Sequence, residues 1–325
     1  MRLLKVSKNY SSKSASKSAS KSASKSASKS ASKIVPALML LPACILLIVL
    51  VILPLLMLVV ASLSNFNARS LFTGEFEFVG IQQYLALFAD KGFYYSLGIT
   101  IAFAAFLVIT SVLIGMWVAQ TMFKQSAVVR VIMSIVLVAA WAMPNVAAAL
   151  VFKWMFQPGY GVVGWLLTQL KIFGNIRNLS WTSNTNLAFC CIGLIIVWQA
   201  VPYIAITLYA AQKQIAPEYA EAAAVDGASK TRIYWQITVP ILAPQLTAIT
   251  ILSCIWDFNV FNQIWLLTQG GPRESTATVG VFTYKKAFIN FSIGQGSAIS
   301  VVTTLILFFA TVYYIRRLLK NGDEL

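Results

Sequence analysis

The chain has 325 residues, 58% hydrophobic and 11% charged, whereas soluble globular proteins are about half apolar and about a quarter charged, so a soluble domain is excluded first. The formal net charge of +15 lies in an amino-terminal tail and in short loops rather than in one patch, which argues against nucleic acid as a partner. There is no histidine, and Cys44, Cys190, Cys191 and Cys254 all fall inside apolar runs without metal-ligand spacing, so they read as small hydrophobes.

Residues 1–33 form a segment of their own. From Lys13 onward Ser-Lys-Ser-Ala repeats, with lysines at 13, 17, 21, 25, 29 and 33. A helix would stack these like charges at i,i+4, and serine adds little helix propensity. A disordered cytoplasmic tail is expected. Its lysines suit anionic headgroups, at about 1 kcal/mol each near the surface, but the composition fits a tolerated extension without function equally well. The tail is too long for the basic region of a signal peptide, and the apolar run after it is too long for the hydrophobic region.

Six apolar stretches follow, near 34–63, 97–119, 128–151, 187–210, 246–267 and 298–315. Each is close to the roughly 20 residues a helix needs to span a bilayer. The expected fold is therefore an all-α integral membrane protein with six transmembrane helices over residues 34–325. Prolines at 36, 42, 54, 144 and 202 fall in or beside spans, where neighbouring helices or water can satisfy the freed carbonyls. The apolar stretch 162–170 is too short to cross and is expected to be an interfacial helix. Apart from the tail, the Lys and Arg residues of the two sets of loops balance, eight against eight. The tail tips the count toward both termini being cytoplasmic.

The polar stretch between spans four and five reads Pro217-Glu-Tyr-Ala-Glu-Ala-Ala-Ala-Val-Asp-Gly-Ala-Ser-Lys-Thr-Arg-Ile-Tyr-Trp-Gln-Ile-Thr-Val-Pro240. Pro217 suits a first helical position. Glu218 and Glu221 fall in the first turn, where the helix dipole favours anions. The alanines make a strong helix with little bulk, Gly227 can end it in the left-handed region, and Ser229 can cap a second helix. A narrow, smooth helix of this kind fits a groove on a partner, although an ordinary amphipathic loop helix has the same pattern.

Glu221-Ala222-Ala223, then Asp226-Gly227-Ala228, Ile237 and Val239-Pro240 resemble the cytoplasmic loop signature of binding-protein-dependent ABC importer permeases. The resemblance extends roughly from residue 34 to the carboxy terminus and implies the type I permease architecture. It also implies that the loop 211–243 carries a coupling helix, with Glu218, Glu221, Ala222, Ala223, Asp226, Gly227 and Ala228 docking an ATP-binding subunit. A second segment, Phe261-Asn-Gln-Ile-Trp-Leu-Leu-Thr-Gln-Gly-Gly-Pro272, is similar to one found in permeases of carbohydrate importers of the maltose and glycerol-3-phosphate type. The run 198–203 resembles the corresponding helix of the larger maltose permease, but that protein's external insertion and extra leading spans are missing here.

Polar groups inside spans are costly, about 2.5–3.5 kcal/mol for an ionised carboxylate at a helix centre, and usually face a cavity or partner. Asp257 is the acidic residue placed within a span. Ser253 lies one turn before it, Asn259 and Asn262 extend the polar character, and on span four Gln199 and Tyr203 share a face. These faces are expected to meet along a transport path, or else to satisfy one another between helices. The resemblance places sugar-contacting positions at Gln199, Ala200, Tyr203, Ser253 and Asp257.

The resemblance further implies a second, related permease as heterodimer partner, two ATP-binding subunits that hold ATP-Mg, an extracytoplasmic solute-binding protein and a bacterial inner-membrane location. No phosphate-binding Gly-x-x-x-x-Gly-Lys-Ser/Thr loop occurs in the chain, so no cofactor is expected in it. The loop signature is shared with importers of polyamines, phosphate and amino acids, which stay open as cargo. A membrane-embedded enzyme would need paired carboxylates, a metal cluster or a nucleophile with its base, and these residues do not assemble one.

Overall fold

The computed structural model describes residues 39–171 and 173–322, with side chains as far as Arg316. The tail at 1–33 lies outside the described residues. Among the described residues the secondary structure is helical, apart from one isolated antiparallel bridge between Ser64 and Phe78. The chain divides into two units, residues 1–60 and 61–325.

The first unit carries nearly all of α1 (Met39–Ser62), a helix apolar on every side. Its turn Ile48–Ile52 is widened to the π form, with the Leu53 N–H bonding the Ile48 carbonyl. The widened turn lies just before Pro54, whose missing N–H would otherwise interrupt the ladder.

The second unit opens with two short helices, α2 (Ala68–Thr73) and α3 (Gln82–Ala89). Then comes α4 (Lys91–Lys124), about 50 Å long at 1.5 Å per residue. Asp90 caps α4: its Oδ1 accepts the Gly92 N–H at 2.8 Å, and its Oδ2 accepts from Lys286 Nζ at 2.8 Å. The lysine bond, more than any other interaction, holds the Asp90 carboxyl below its ordinary value of 3.8. A carboxylate with a depressed folded pKa stabilises the fold fully above its unfolded value and loses that contribution as pH falls through the folded one. Lys286→Met is therefore expected to lower the unfolding temperature at neutral pH, by an amount matching about 1 kcal/mol. The difference from wild type should shrink as pH falls below 3.8 and through the lowered folded value, which thermal denaturation across an acid pH series reads directly.

Helix α4 packs along α8 (Thr185–Gln212), burying Leu107, Ile192 and Ile195 completely. The two helices come close at Gly115, where a Cβ atom would stand 2.8 Å from Ile204 Cβ. Gly115→Leu should force the helices apart and cost about 1–3 kcal/mol, the usual price of overpacking. A fall in the unfolding temperature of detergent-purified protein would register it, and an unchanged value would refute the contact.

The single span expected over 128–151 is two helices instead, α5 (Ala127–Trp141) and α6 (Asn145–Met155), bent by 95°. Pro144 donates no N–H and keeps the residue before it out of the helical region, so the ladder stops and restarts at Asn145. The short helix expected near 162–170 is α7 (Val162–Gln169). The segment after α8 forms α9 (Glu218–Val225) and α10 (Lys230–Ile241). The span expected over 246–267 is also interrupted, between α11 (Ala243–Phe258) and α12 (Asn262–Thr268). There Asn259 Nδ2 bonds the Ile255 carbonyl at 2.8 Å and closes the end of α11. The chain ends with α13 (Val279–Tyr284) and α14 (Ile293–Gly322). Among the described residues, four helices are long and apolar enough to cross a membrane, or up to six if two bent pairs each count as one span: α5 with α6, and α10 with the run 243–268, bent by 72°.

Candidate functional site

Two interruptions of regular structure and one face of α8 converge on a cavity of about 440 Å³. From α8 come Ile196, Gln199 and Ala200, spaced i, i+3, i+4 so that they share a face. The break between α5 and α6 contributes Trp141 and Asn145. The end of α11, the break after it and the start of α12 contribute Trp256, Asp257, Asn259, Phe261 and Gln263, among others. Irregular backbone at membrane depth is tolerated where it lines a cavity.

A relay of amides ties the three elements together. Gln263 Nε2 donates to Gln199 Oε1 at 2.8 Å, and Gln199 Nε2 donates to Asn145 Oδ1 at 3.0 Å. The relay uses the Asn145 carbonyl and leaves its NH2 group as a donor. Beside it, Asp257 is only 7% exposed. Among the described residues its Oδ2 is the buried side-chain oxygen or nitrogen without a hydrogen-bond partner. A desolvated, unpaired carboxylate is expensive, and this one belongs to a residue that lines the cavity.

Aromatic rings flank the polar groups. Tyr203 stacks on Trp141 with centroids 6.1 Å apart and meets Trp256 edge-on at 5.4 Å. Of the residues expected along the path, Gln199, Ala200 and Asp257 line the cavity. Tyr203 instead buttresses the two tryptophans from behind, and Ser253 is buried at 3% exposure without lining the cavity. Gln199 and Tyr203 stand one turn apart on α8, with Gln199 lining the cavity and the broken α5–α6 pair placing Trp141 against Tyr203. Sequence reasoning missed Asn145, Gln263 and Trp141. Pro144 directly before Asn145 was the available signal, since a break there frees a polar side chain from a helix face.

At the α8–α10 loop the geometry matches the local expectations. Glu218 and Glu221 stand in the first turn of α9. Gly227 ends the helix with φ +81, and the Ala228 N–H reaches back to the Ala223 carbonyl at 3.0 Å. Ser229 accepts the Arg232 N–H and caps α10. Pro217 flanks the helix rather than opening it. Glu218, Glu221, Ala222, Asp226 and Gly227 are exposed, with Ala223 and Ala228 partly so. The helix also projects Tyr219 and Val225, 60% and 89% exposed. Among the described residues α9 is a small-residue surface with two apolar projections and nothing packed over them.

Comparison with known proteins places this architecture. The diacetylchitobiose uptake system permease protein DasB of Streptomyces coelicolor is 36% identical over 289 residues, covering 89% of this chain and 88% of that protein. The sulfoquinovosyl glycerol transport system permease protein SmoG of Agrobacterium fabrum is 32% identical, with 86% and 88% covered. The trehalose/maltose transport system permease protein MalF of Thermococcus litoralis is 30% identical, with 75% and 81% covered. A chain of the bacterial alginate ABC transporter, in complex with an alginate pentasaccharide-bound periplasmic protein, shares the fold at a TM-score of 0.73 and 16% identity, covering 86% of this chain and 92% of that one. Residues 111–321 match the family of binding-protein-dependent transport system inner membrane components. With its apolar helices, its exposed loop helix and these relatives, the chain is a multi-pass membrane protein and belongs to the binding-protein-dependent transport system inner membrane component family.

Proposed function

We propose that this chain is one permease half of an ATP-driven importer and passes a carbohydrate, of oligosaccharide size, across the bacterial cytoplasmic membrane by alternating access. The observation that carries the reading is the cavity where broken helices meet. Sugars present hydroxyls that both donate and accept, together with apolar C–H faces. An amide relay, a carboxylate acceptor and tryptophan faces around 440 Å³ meet each of these needs. The sugar cargoes in the relatives' names support the same class.

In this reading α5 with α6, and α11 with α12, each form one span, giving six, with both termini cytoplasmic. The loop 211–243 then faces the cytoplasm, and α9 docks into one of two ATP-binding subunits. Those subunits hold ATP-Mg and perform hydrolysis, while this chain supplies no cofactor. A distinct second permease completes the path, and a solute-binding protein delivers the cargo from outside. A cationic cargo such as a polyamine is the second reading, favoured by the unpaired carboxylate of Asp257 alone.

The deciding experiment is purification of the tagged chain from membranes after crosslinking, with mass spectrometry of what accompanies it. A second permease and an ATP-binding subunit are expected, and the accompanying solute-binding protein should bind oligosaccharides in preference to polyamines. A chain that stays solitary after crosslinking overturns the importer reading, and a preference for polyamines overturns the cargo.

A further inference from the structure

A groove of about 330 Å³ runs between the last third of α4 and the first turns of α10, away from the cavity described above. On α4 its wall is a single stripe, Leu113, Met116, Trp117, Gln120 and Lys124, at the three- and four-residue spacing that keeps side chains on one face. On α10 the wall is Lys230, Thr231, Tyr234 and Trp235. The stripe is graded: apolar at Leu113 and Met116, aromatic in the middle, cationic where Lys124 meets Lys230. From Leu113 to Lys124 the helix rises about 16 Å, the distance from hydrocarbon depth to the headgroup layer.

Two features identify the occupant by chemistry. Lys124 and Lys230 have no carboxylate partner among the described residues, and no acidic side chain lines the groove. Trp117 and Trp235 are 70% and 53% exposed, and indole rings prefer the boundary between hydrocarbon and headgroups. We propose that this groove binds an anionic phospholipid, its phosphate between Lys124 and Lys230 and an acyl chain along Leu113 and Met116. The lipid bridges a membrane helix to the segment that continues from α9, so its occupancy steadies the position of α10. The inference rests on the proposed orientation only in assigning the lipid to the cytoplasmic leaflet, and it does not depend on the cargo.

The test uses the full-length chain, with whatever subunits co-purify, stripped of lipid in detergent. Mixed micelles containing phosphatidylglycerol or phosphatidylcholine are added, and the unfolding temperature and the lipid retained in native mass spectrometry are read. Wild type is expected to prefer phosphatidylglycerol by about tenfold or more, because two lysines near a phosphate supply that much. Lys124→Gln with Lys230→Gln should abolish the preference, while Lys153→Gln, in the last turn of α6, should keep it. Should the double variant fail to purify, Lys230→Gln alone, at an exposed first turn, should lose part of the preference. An unchanged preference in the variants would place the lipid on other cations, such as those of the tail, and overturn the site. Full reproduction of the stabilisation by millimolar inorganic phosphate would show a free-anion site and overturn the lipid. A photoreactive phosphatidylglycerol should label α4 and α10 peptides in membranes, and labelling confined to other peptides, with protein crosslinks filling the groove, also defeats the proposal. None of these readouts involves transport, so a failure of the importer reading would be seen separately.

Discussion

Asp257→Leu is expected to make the purified protein more heat-stable while reducing solute uptake by at least about tenfold. The two effects have one origin. Asp257 Oδ2 is buried without a hydrogen-bond partner among the described residues, and an unsatisfied buried polar group costs about 1–3 kcal/mol that an apolar side chain recovers. The same carboxylate belongs to the acidic residue that lines the cavity. A hydrogen bond to a charged group contributes about 1.5–3 kcal/mol, so its loss lowers uptake by about ten- to a hundredfold. Asp257→Asn keeps the shape and an acceptor oxygen but not the charge, and should fall between wild type and leucine. Uptake of labelled sugar into proteoliposomes and thermal denaturation of the same preparations provide both readings. If Asp257→Leu instead destabilised the protein and Asp257→Asn transported normally, the carboxylate would be a structural group paired by a neighbouring subunit.

Gly227→Pro should abolish coupling between ATP hydrolysis and transport, whereas Gly227→Ala should leave most of it. At φ +81 proline, held near −65°, has no access to the native backbone. Alanine meets no atom within 4 Å and bears only the left-handed strain of about 1–2 kcal/mol. Proline therefore rotates α9 relative to α10, and alanine does not. Glu221→Lys attacks the same surface without moving the backbone. It forfeits a favourable helix-dipole contact of about 0.3–1 kcal/mol, too little to unfold an exposed helix, yet it reverses the charge α9 presents. Both damaging variants should insert into membranes normally while ATP hydrolysis in the assembled importer loses its response to solute and uptake drops at least about tenfold. Normal uptake by both would refute the docking role of α9.

Apolar run length, proline and capping chemistry determined much of this protein from the sequence alone. Run lengths placed the four helices that are long and apolar enough to cross a membrane, because crossing a bilayer needs only enough consecutive apolar residues. The α9–Gly227–α10 junction was equally legible: acidic first turn, left-handed glycine and serine cap are each settled within four residues of chain. What escaped was every property that depends on distant partners. Proline at 144 announced a kink, but the 95° turn between α5 and α6 follows from what Trp141 and Asn145 pack against. The run Asp257-Phe-Asn-Val-Phe-Asn262 announced polar character in span five, not a helix end closed by Asn259. The amide relay joins residues 54 and 64 positions apart, a separation that periodicity, which reports only one helix's own face, does not carry. Tertiary structure therefore decided that Gln199 and Asp257 share a cavity while Tyr203 and Ser253 stand behind its wall. Where broken helices meet, each side chain's outlook is set by the bend of its neighbour and not by its own place in the repeat.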